Sequence, residues 1–287
     1  MPPTLVVLAA GAGARFGGAK QLHPVGPGGE PLLDYAVFDA ARSGVRRVCF
    51  VISPAMAEGF PPWAAARYGG RLEVRCALQR LDECPVEVPA GRTSPWGTAH
   101  ALLTAAALED GPVVVVNADD FYGADAISRL VAALDVPPAP PATWHLATWR
   151  LQDTLPPAGA VNRALCEMGP DGRLAGLQEL IGVSRAGVTA AQREAPVSMN
   201  LWGFTPDVFD AASSFLARFF HEADLARDEA FLPDVVTDAI ARGVARVELH
   251  EAGSRWCGVT RPDDVPAAHD LLAGLHATGA YPAHLWP

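Results

Sequence analysis

The 287-residue chain is poor in basic charge and almost without lysine. Its 22 basic residues stand against 32 acidic ones, and every basic residue except Lys20 is arginine. A protein that binds nucleic acid neutralises backbone phosphates with a basic face. The net charge of -10 and the lack of an Arg cluster therefore argue against a nucleic-acid partner. A few local cations can still bind a small anion.

Paired cysteines, zinc-ligand spacings and long apolar runs are also lacking. The five cysteines form no Cys-x-x-Cys pair and show no ligand spacing with the eight histidines, so we expect neither disulfides nor a zinc site. No apolar run is long enough to span a membrane, and the N-terminus shows no basic segment of a signal peptide. The sequence therefore predicts a cytoplasmic protein with no membrane partner.

The first half of the chain alternates between strand and helix patterns. Half of all residues are hydrophobic, which suffices for a sizeable core. The strand and helix patterns follow one another at 5–8, 31–43, 48–52, 55–68, 72–78, 97–107 and 113–116. Such alternation predicts βαβ units and a mainly parallel sheet.

The pattern changes after residue 136, where a proline-rich connector occupies 137–141. Shorter strand patterns and three helices are then predicted at 144–151, 160–168, 173–180, 206–220, 229–241 and 262–275. Asp171-Gly172 lies between two of the strands and is typical of a hairpin turn. We therefore expect a mixed second half that extends the sheet of the first.

A glycine-rich loop with two cations follows the first strand, at residues 8–21. Small residues at this place let backbone N–H groups approach an anion, and Arg15 and Lys20 add positive charge. The single lysine indicates a position that does not accept a planar guanidinium. A dinucleotide-binding loop is disfavoured, because Phe16 interrupts its glycine pattern and the second strand ends without an acid.

Three stretches of the sequence match the signatures of one enzyme family. Residues 8–20 read Leu-Ala-Ala-Gly-Ala-Gly-Ala-Arg and end at a lysine, residues 97–102 read Gly-Thr-Ala-His-Ala-Leu, and residues 117–123 read Asn-Ala-Asp-Asp-Phe-Tyr-Gly. Weaker matches follow in the same order as in the family, at 171–179, 200–204 and 256–264. Over residues 4–275 the chain resembles the NTP transferases that act on sugar 1-phosphates, the nucleotide-diphospho-sugar pyrophosphorylases.

The resemblance implies an α/β fold of Rossmann-like type, with three α/β/α layers around a mainly parallel mixed sheet. It implies one domain over 1–287, in which 1–136 bind the nucleotide, 137–261 bind the acceptor and 262–287 form a C-terminal helix and tail. The residues that it assigns to catalysis are Arg15, Lys20 and Asp119. Those that it assigns to the nucleotide are Ala10, Gly11, Ala12, Gly13, Gln79, Gly97 and Thr98. Those that it assigns to the acceptor are Asn162, Glu179, Asn200 and Gly203.

The resemblance also implies Mg²⁺ on Asp119, with Asp120 as a second candidate ligand. Asp119 follows a buried strand at the end where open α/β sheets place ligands, and carboxylates suit Mg²⁺. A solvated turn is the alternative for these two residues. Thr98 could equally be a plain helix cap, and Gln79 a surface residue.

The sequence departs from the family at two places. The closing tryptophan is usually followed two residues later by a metal-binding carboxylate, but residue 258 is glycine; Glu251, Asp263 and Asp264 are the alternatives. Leu180 stands where a lysine should follow Glu179. The cations that could replace that lysine at the acceptor phosphate are Arg163, Arg173 and Arg261.

The reaction implied is that of an NTP with a phosphorylated small molecule, which gives an NDP-acceptor and pyrophosphate. The resemblance favours a sugar 1-phosphate as the acceptor. One alternative is a cytidylyltransferase for molybdopterin, methylerythritol phosphate or phosphocholine, favoured by residues 259–264. The other is a nucleotide-sugar-binding protein that has lost catalysis. A homo-oligomer is compatible with the sequence.

Overall fold

The computed structural model describes residues 1–11, 20–135 and 140–286, and for Lys20 the backbone only. The strands in these ranges are β1 (Thr4–Leu8), β2 (Arg47–Ile52), β3 (Glu73–Leu78), β4 (Val113–Asn117), β5 (Asp120–Phe121), β6 (Ala142–Arg150), β7 (Val161–Met168), β8 (Leu174–Val183), β9 (Pro196–Phe204), β10 (Ala245–Glu251) and β11 (Cys257–Gly258). The helices are α1 (Leu32–Arg42), α2 (Phe60–Tyr68), α3 (Thr98–Ala105), α4 (Ala124–Ala133), α5 (Ala190–Arg193), α6 (Val208–Glu222), α7 (Leu232–Ala241) and α8 (Val265–Ala277).

One large mixed sheet joins both halves of the chain. Its strands run in the order β10-β6-β9-β4-β1-β2-β3, and the β7–β8 hairpin pairs with β9. The strands β4, β1, β2 and β3 are parallel, as expected for βαβ units. Antiparallel β9 pairs with β4 and β6, and β10 lies parallel to β6. The second half therefore extends the sheet of the first.

Helices cover both faces of this sheet, because its central strands are apolar on both sides. On one face, Leu33 of α1, Ala64 of α2 and Leu130 of α4 are fully buried in the same cluster. On the other face, Leu102 of α3 packs in a second cluster together with residues of α6 and α7. The predicted three-layer α/β/α class is confirmed. Within the described ranges, no helix is long and apolar enough to cross a membrane.

The predicted helices and strands are found with shifts of a few residues at their ends. The turn at Asp171-Gly172 does join β7 to β8, and Gly172 has a φ of 76°, a value that glycine adopts without strain. The sequence patterns had not indicated α4 or β10. Residues 245–251 do alternate apolar and polar side chains, as a half-buried strand does, and their burial alternates accordingly at Ala245 and Val247.

Candidate functional site

The carboxyl ends of β1, β2 and β4 meet at one edge of the sheet. Leu8, the last residue of β1, pairs with Val51 of β2 and with Asn117 of β4. The backbone N–H of Ala118 donates to the Leu8 carbonyl at 3.2 Å. Parallel pairing therefore brings the loop after β1 next to the residues that follow β4.

The described part of the glycine-rich loop is held by one buried side chain. Ala10 is almost fully buried, and the Gly11 carbonyl accepts a hydrogen bond from Gln21 Nε2 at 2.7 Å. Lys20 begins the short 3-10 turn Lys20–Leu22 that carries Gln21. Gln21 thus ties the far end of the loop to its start. Arg15, Ala12, Gly13 and the side chain of Lys20 lie outside the described residues.

Asp119 and Asp120 follow β4 directly and differ in their surroundings. Asp119 is half-buried, and its carbonyl accepts the N–H of Val259 at 2.9 Å. Asp120 is 8% exposed. Burial, followed by the charge of Asp119, raises the pKa of Asp120 well above its usual range. Two adjacent carboxylates at a strand end favour a cation.

Amide and hydroxyl groups hold Asp120 in a fixed orientation. Asp120 Oδ2 accepts from Asn117 Nδ2 at 2.8 Å and from the Tyr122 hydroxyl at 3.2 Å. Asn117 Oδ1 in turn accepts from Asn200 Nδ2 at 2.7 Å, and Asn200 Oδ1 accepts from Trp202 Nε1 at 2.8 Å. Asn200, predicted to bind the acceptor, thus reaches the Asp120 carboxylate through Asn117.

The closing segment lies against Asp120 without adding a carboxylate. β11 pairs with β5, so that Gly258 stands opposite Asp120. A Cβ at residue 258 would lie within 3.0 Å of Asp120 Oδ1 and of the Trp256 ring. The Asp120 side chain therefore occupies space that a side chain at 258 would need.

Among the alternatives to residue 258, Asp264 serves the local backbone. Its Oδ2 accepts the N–H groups of Thr260 and Arg261 at 2.9 and 2.8 Å. Asp263 and Glu251 are exposed. Asp264 therefore caps the backbone N–H groups of its own turn, whereas the side chain that reaches toward residue 258 is that of Asp120.

Of the three arginines predicted to bind the acceptor phosphate, Arg163 is one whose charge acts on Asp120. Its guanidinium carbon is 5.0 Å from the centre of the Trp256 ring, and its Nε donates to Thr154 Oγ1 at 3.0 Å. Its charge opposes the rise in the pKa of Asp120. Arg173, by contrast, pairs with Asp171 in the β7–β8 turn at 3.0 Å.

Gln79 and Gly97 meet at the start of α3. Gln79 is 7% exposed, and its Nε2 lies 3.0 Å from the Gly97 carbonyl and 3.2 Å from His100 Nδ1. Gly97 has a φ of 100°, and a Cβ there would clash with the backbone of Ala230. Burial lowers the pKa of His100, so a neutral imidazole joins this group. Gln79 is therefore not a surface residue.

Thr98 caps a helix other than its own. Its Oγ1 accepts the backbone N–H of Leu232, the first residue of α7, at 2.8 Å. The Ala99 N–H donates to the Ala230 carbonyl at 3.0 Å. The N-termini of α3 and α7 are thereby joined.

Asn162 and Glu179 meet across the β7–β8 hairpin. Asn162 Nδ2 donates to Glu179 Oε1 at 3.4 Å, and both residues are exposed. Glu179 also lines an open cleft of about 780 Å³ together with Phe215, Phe219 and Asp234. Burial, with a contribution from Glu179, raises the pKa of Asp234. The cleft is acidic and partly aromatic.

Gly203 lies apart from the other predicted acceptor residues. It pairs with Val114 of β4, three residues before the carboxyl end of that strand, or about 10 Å along it. A Cβ at residue 203 would lie 3.4 Å from Leu134 and 3.5 Å from His145. The structure thus places Gly203 in packing contact with α4 and β6.

Sequence reasoning had not singled out Asn117, Tyr122 or His100 individually. The first two lie inside the matched stretch 117–123, so the motif itself contained the signal. Their polar atoms are oriented toward Asp120 only by the turn after β4. His100 occupies the unspecified position of its motif, and no pattern could have indicated its contact with Gln79.

Comparison with known proteins supports the family prediction. A family model of the MobA-like NTP transferase domain matches residues 5–180. The curated bifunctional protein GlmU of Sorangium cellulosum (strain So ce56) is 29% identical over 278 residues, which cover 95% of this chain and 52% of GlmU. The chain therefore spans about half the length of that relative.

Two solved structures share the fold. The inositol-1-phosphate CTP transferase from T. maritima superimposes with a TM-score of 0.64 at 16% identity, covering 95% of this chain and 96% of that one. A UDP-glucose pyrophosphorylase complexed with UDP-glucose gives a TM-score of 0.64 at 15% identity, with coverages of 97% and 100%. The family match covers more than half of the chain, and with the shared fold it shows that this protein is a nucleotidyltransferase that belongs to the MobA-like NTP transferase family.

Proposed function

We propose that the protein transfers a nucleotidyl group from an NTP to a phosphorylated, sugar-like acceptor and releases pyrophosphate. The observation that carries this proposal is the pair Asp119–Asp120 at the carboxyl end of β4, beside the glycine-rich loop after β1. The names of the similar proteins mention inositol 1-phosphate and UDP-glucose. They support an acceptor with a ring that carries hydroxyl groups.

Asp119 and Asp120 fit a Mg²⁺ ion. Carboxylate oxygens are its preferred protein ligands, and, besides burial, the charge of Asp119 raises the pKa of Asp120, so that it opposes ionisation of that side chain. A divalent cation removes this opposition. Asp119 and Asp120 are the residues that would hold the ion, which would supply positive charge against the negative charge of the leaving pyrophosphate.

The chain itself needs to supply cations and oriented donors rather than a base. The attacking phosphate is already ionised, so the barrier is repulsion between anions. We assign Lys20 to the α-phosphate and Arg15 to the β- and γ-phosphates, while backbone groups of Gly11 and Gly13 cradle the triphosphate. Arg163 is the cation that we assign to the acceptor phosphate, because its charge acts on Asp120.

Two different groups of residues are assigned to the two substrates. We assign the base to Gln79, Gly97 and Thr98, which join the N-terminus of α3 to that of α7. We assign the acceptor hydroxyls to Asn162 and Glu179, which are exposed and in contact across the hairpin. Carboxylate and amide groups suit hydroxyls, since together they both donate and accept.

A second candidate is a cytidylyltransferase with an acceptor that is not a sugar. The match to a MobA-like model favours it, as does the stretch 259–264. The two functions share the chemistry of the centre and differ in the base and the acceptor. They are separated by substrate preference alone.

The test is pyrophosphate release with each of CTP, UTP, dTTP, ATP and GTP, against panels of sugar 1-phosphates, inositol 1-phosphate and non-sugar phosphates. We expect turnover that needs one NTP, one phosphorylated ring and Mg²⁺, and that stops with EDTA. Turnover confined to CTP with a non-sugar phosphate would select the second candidate. Binding of NDP-sugars without turnover on any pair would overturn both proposals.

Variants locate the reaction in the proposed centre. Asp119→Asn and Lys20→Ala should lower kcat by at least about 100-fold, because the first removes a carboxylate that would hold Mg²⁺ and the second removes a cation that balances the transferred phosphates. Asp110→Asn is the matched control, since Asp110 is exposed. Full activity of Asp119→Asn with an unchanged melting temperature would overturn the assignment.

A further inference from the structure

A group of metal-ligating side chains lies at the edge of the sheet, away from the proposed centre. β10 is the edge strand and pairs with β6, and β9 separates β6 from β4. His145 of β6 is the direct register partner of Glu248 of β10, and His250 follows two residues later. Side chains two residues apart point to the same face of a strand. Glu248 and His250 therefore share one face at the edge strand.

The face in question is the one that α4 covers. A Cβ placed on Gly203, which pairs with His145, would lie close to both His145 and Leu134 at the end of α4. Arg129 of α4 is near enough to His250 to affect its charge. The three side chains thus occupy a narrow space between α4 and the sheet edge.

The ligand atoms of this group are close together. His145 Nδ1 and His250 Nε2 form a hydrogen bond at 3.0 Å, with ring planes at 60°, and a bound metal ion would replace the proton that they share. One oxygen of Glu248 completes a set of three atoms that all lie within 4.8 Å of one another. His145 is 6% exposed, whereas the other two residues are half-buried. An ion could reach them from the solvent side.

These distances suit a tetrahedral transition-metal ion. With Zn–N bonds of 2.0–2.1 Å, two ligating nitrogens stand about 3.3 Å apart, close to the separation of the two imidazoles. The Glu248 side chain would have to rotate so that its oxygen reaches an ion bound by the two imidazoles. We propose that His145, Glu248 and His250 form a site for Zn²⁺ or a similar borderline transition-metal ion, with water in the fourth position.

A neighbouring positive charge lowers the affinity of this site for a metal ion. Arg129 is exposed and its positive charge acts on His250, so it also opposes a divalent cation. Glu248 provides the compensating negative charge. Removal of the Arg129 charge should therefore strengthen metal binding, a result that a site elsewhere on the protein would not show.

The first experiment titrates tag-free protein with Zn²⁺ in competition with a chromogenic chelator. With excess Mg²⁺ present to occupy the proposed Asp119–Asp120 site, we expect one equivalent of Zn²⁺ to bind the wild-type chain. His250→Gln and Glu248→Gln should weaken binding by at least about tenfold, since even residues that only support a metal ligand contribute that much. Arg129→Gln should tighten it. His221→Gln, at an exposed position of α6, is the control and should bind like the wild type.

Co²⁺ provides a readout of the ligands themselves. Four-coordinate Co²⁺ bound by nitrogen and oxygen should give intense visible bands without the near-ultraviolet charge transfer of thiolates, and His250→Gln should abolish them. Equal zinc affinity of the wild type and His250→Gln would overturn the proposal, as would thiolate absorption with Co²⁺. The readouts do not involve nucleotidyl transfer, so the outcome is independent of the proposed function.

Discussion

Gly258 faces Asp120 across the β5–β11 pair, and a Cβ at residue 258 would lie within 3.0 Å of Asp120 Oδ1. The family resemblance calls for a carboxylate in the closing segment at this position. In this chain the Asp120 side chain, from the neighbouring strand, occupies the space that a side chain at residue 258 would need. We propose that Asp120 takes the place of the missing carboxylate in the centre.

Gly258→Ala should destabilise the fold and disturb the centre. The new methyl group has to displace either the Asp120 carboxylate or the Trp256 ring, and overpacking of this kind costs about 1–3 kcal/mol. Gly274→Ala is the control, because a Cβ at that position of α8 meets open space. Urea denaturation should show a loss for the first variant only. Equal stability of Gly258→Ala and the wild type would contradict the close approach.

Thr98→Val should lower stability through α7 rather than through α3. The Thr98 hydroxyl accepts the Leu232 N–H, and loss of such a cap costs about 1 kcal/mol. Thr98→Ser keeps the oxygen and should remain close to the wild type. Thermal unfolding of the three proteins measures the difference. If Ser and Val lowered the melting temperature equally, the capping role would be wrong.

Arg67→Ala alone should lower the free energy of unfolding more than the removal of both charges of its ion pair with Asp34. Arg67 Nε donates to both oxygens of Asp34 at 2.8 Å, and Asp34 also accepts from the Tyr68 hydroxyl. Because Asp34 is fully buried, removal of Arg67 leaves a carboxylate without its charge partner, at a cost of about 3 kcal/mol.

Arg67→Ala combined with Asp34→Asn should recover part of this loss, since the residual amide is neutral. A double-mutant cycle in urea measures the coupling between the two residues. Strict additivity of the two single changes would contradict a coupled pair.

Asp39 predicts a pH dependence of stability. Burial raises its pKa to about 7, against the opposing charge of Arg42 and the hydrogen bond from Tyr281. The folded state therefore disfavours the ionised form. Its contribution to the free energy of unfolding is fully present below the unfolded pKa near 3.8. It falls as pH rises toward 7 and is constant above that value.

Urea denaturation at intervals between pH 4 and 8 measures this contribution. Asp39→Asn should flatten the decline by a few kcal/mol across the window, because the amide does not titrate. Asp110→Asn changes an exposed residue and should leave the slope unchanged. Identical slopes for the wild type and Asp39→Asn would contradict the raised pKa.

The alternation of strands and helices in the first half could be predicted because the central strands are continuous apolar runs. The sequence also indicated Asp119, whose place after such a run puts it at the ligand-binding edge of a parallel sheet. Helix α4 and edge strand β10 were missed although each has the periodicity of its class: the buried residues of α4 lie on one helical face, and β10 alternates apolar and polar residues. The central strands, which are buried on both faces, were therefore predicted better than the short amphipathic elements.

Sequence by itself determined the family and the class of the fold and indicated the stretches of the proposed centre, because these depend on motifs and on periodic burial along the chain. Only the tertiary structure decided which side chains meet. In the folded chain Asn200 donates a hydrogen bond to Asn117, Thr98 contacts the start of α7, and Gly203 packs next to Leu134 at the end of α4. The physical reason is that hydrogen bonds and steric contacts between distant strands depend on register and strand order, which no local pattern encodes.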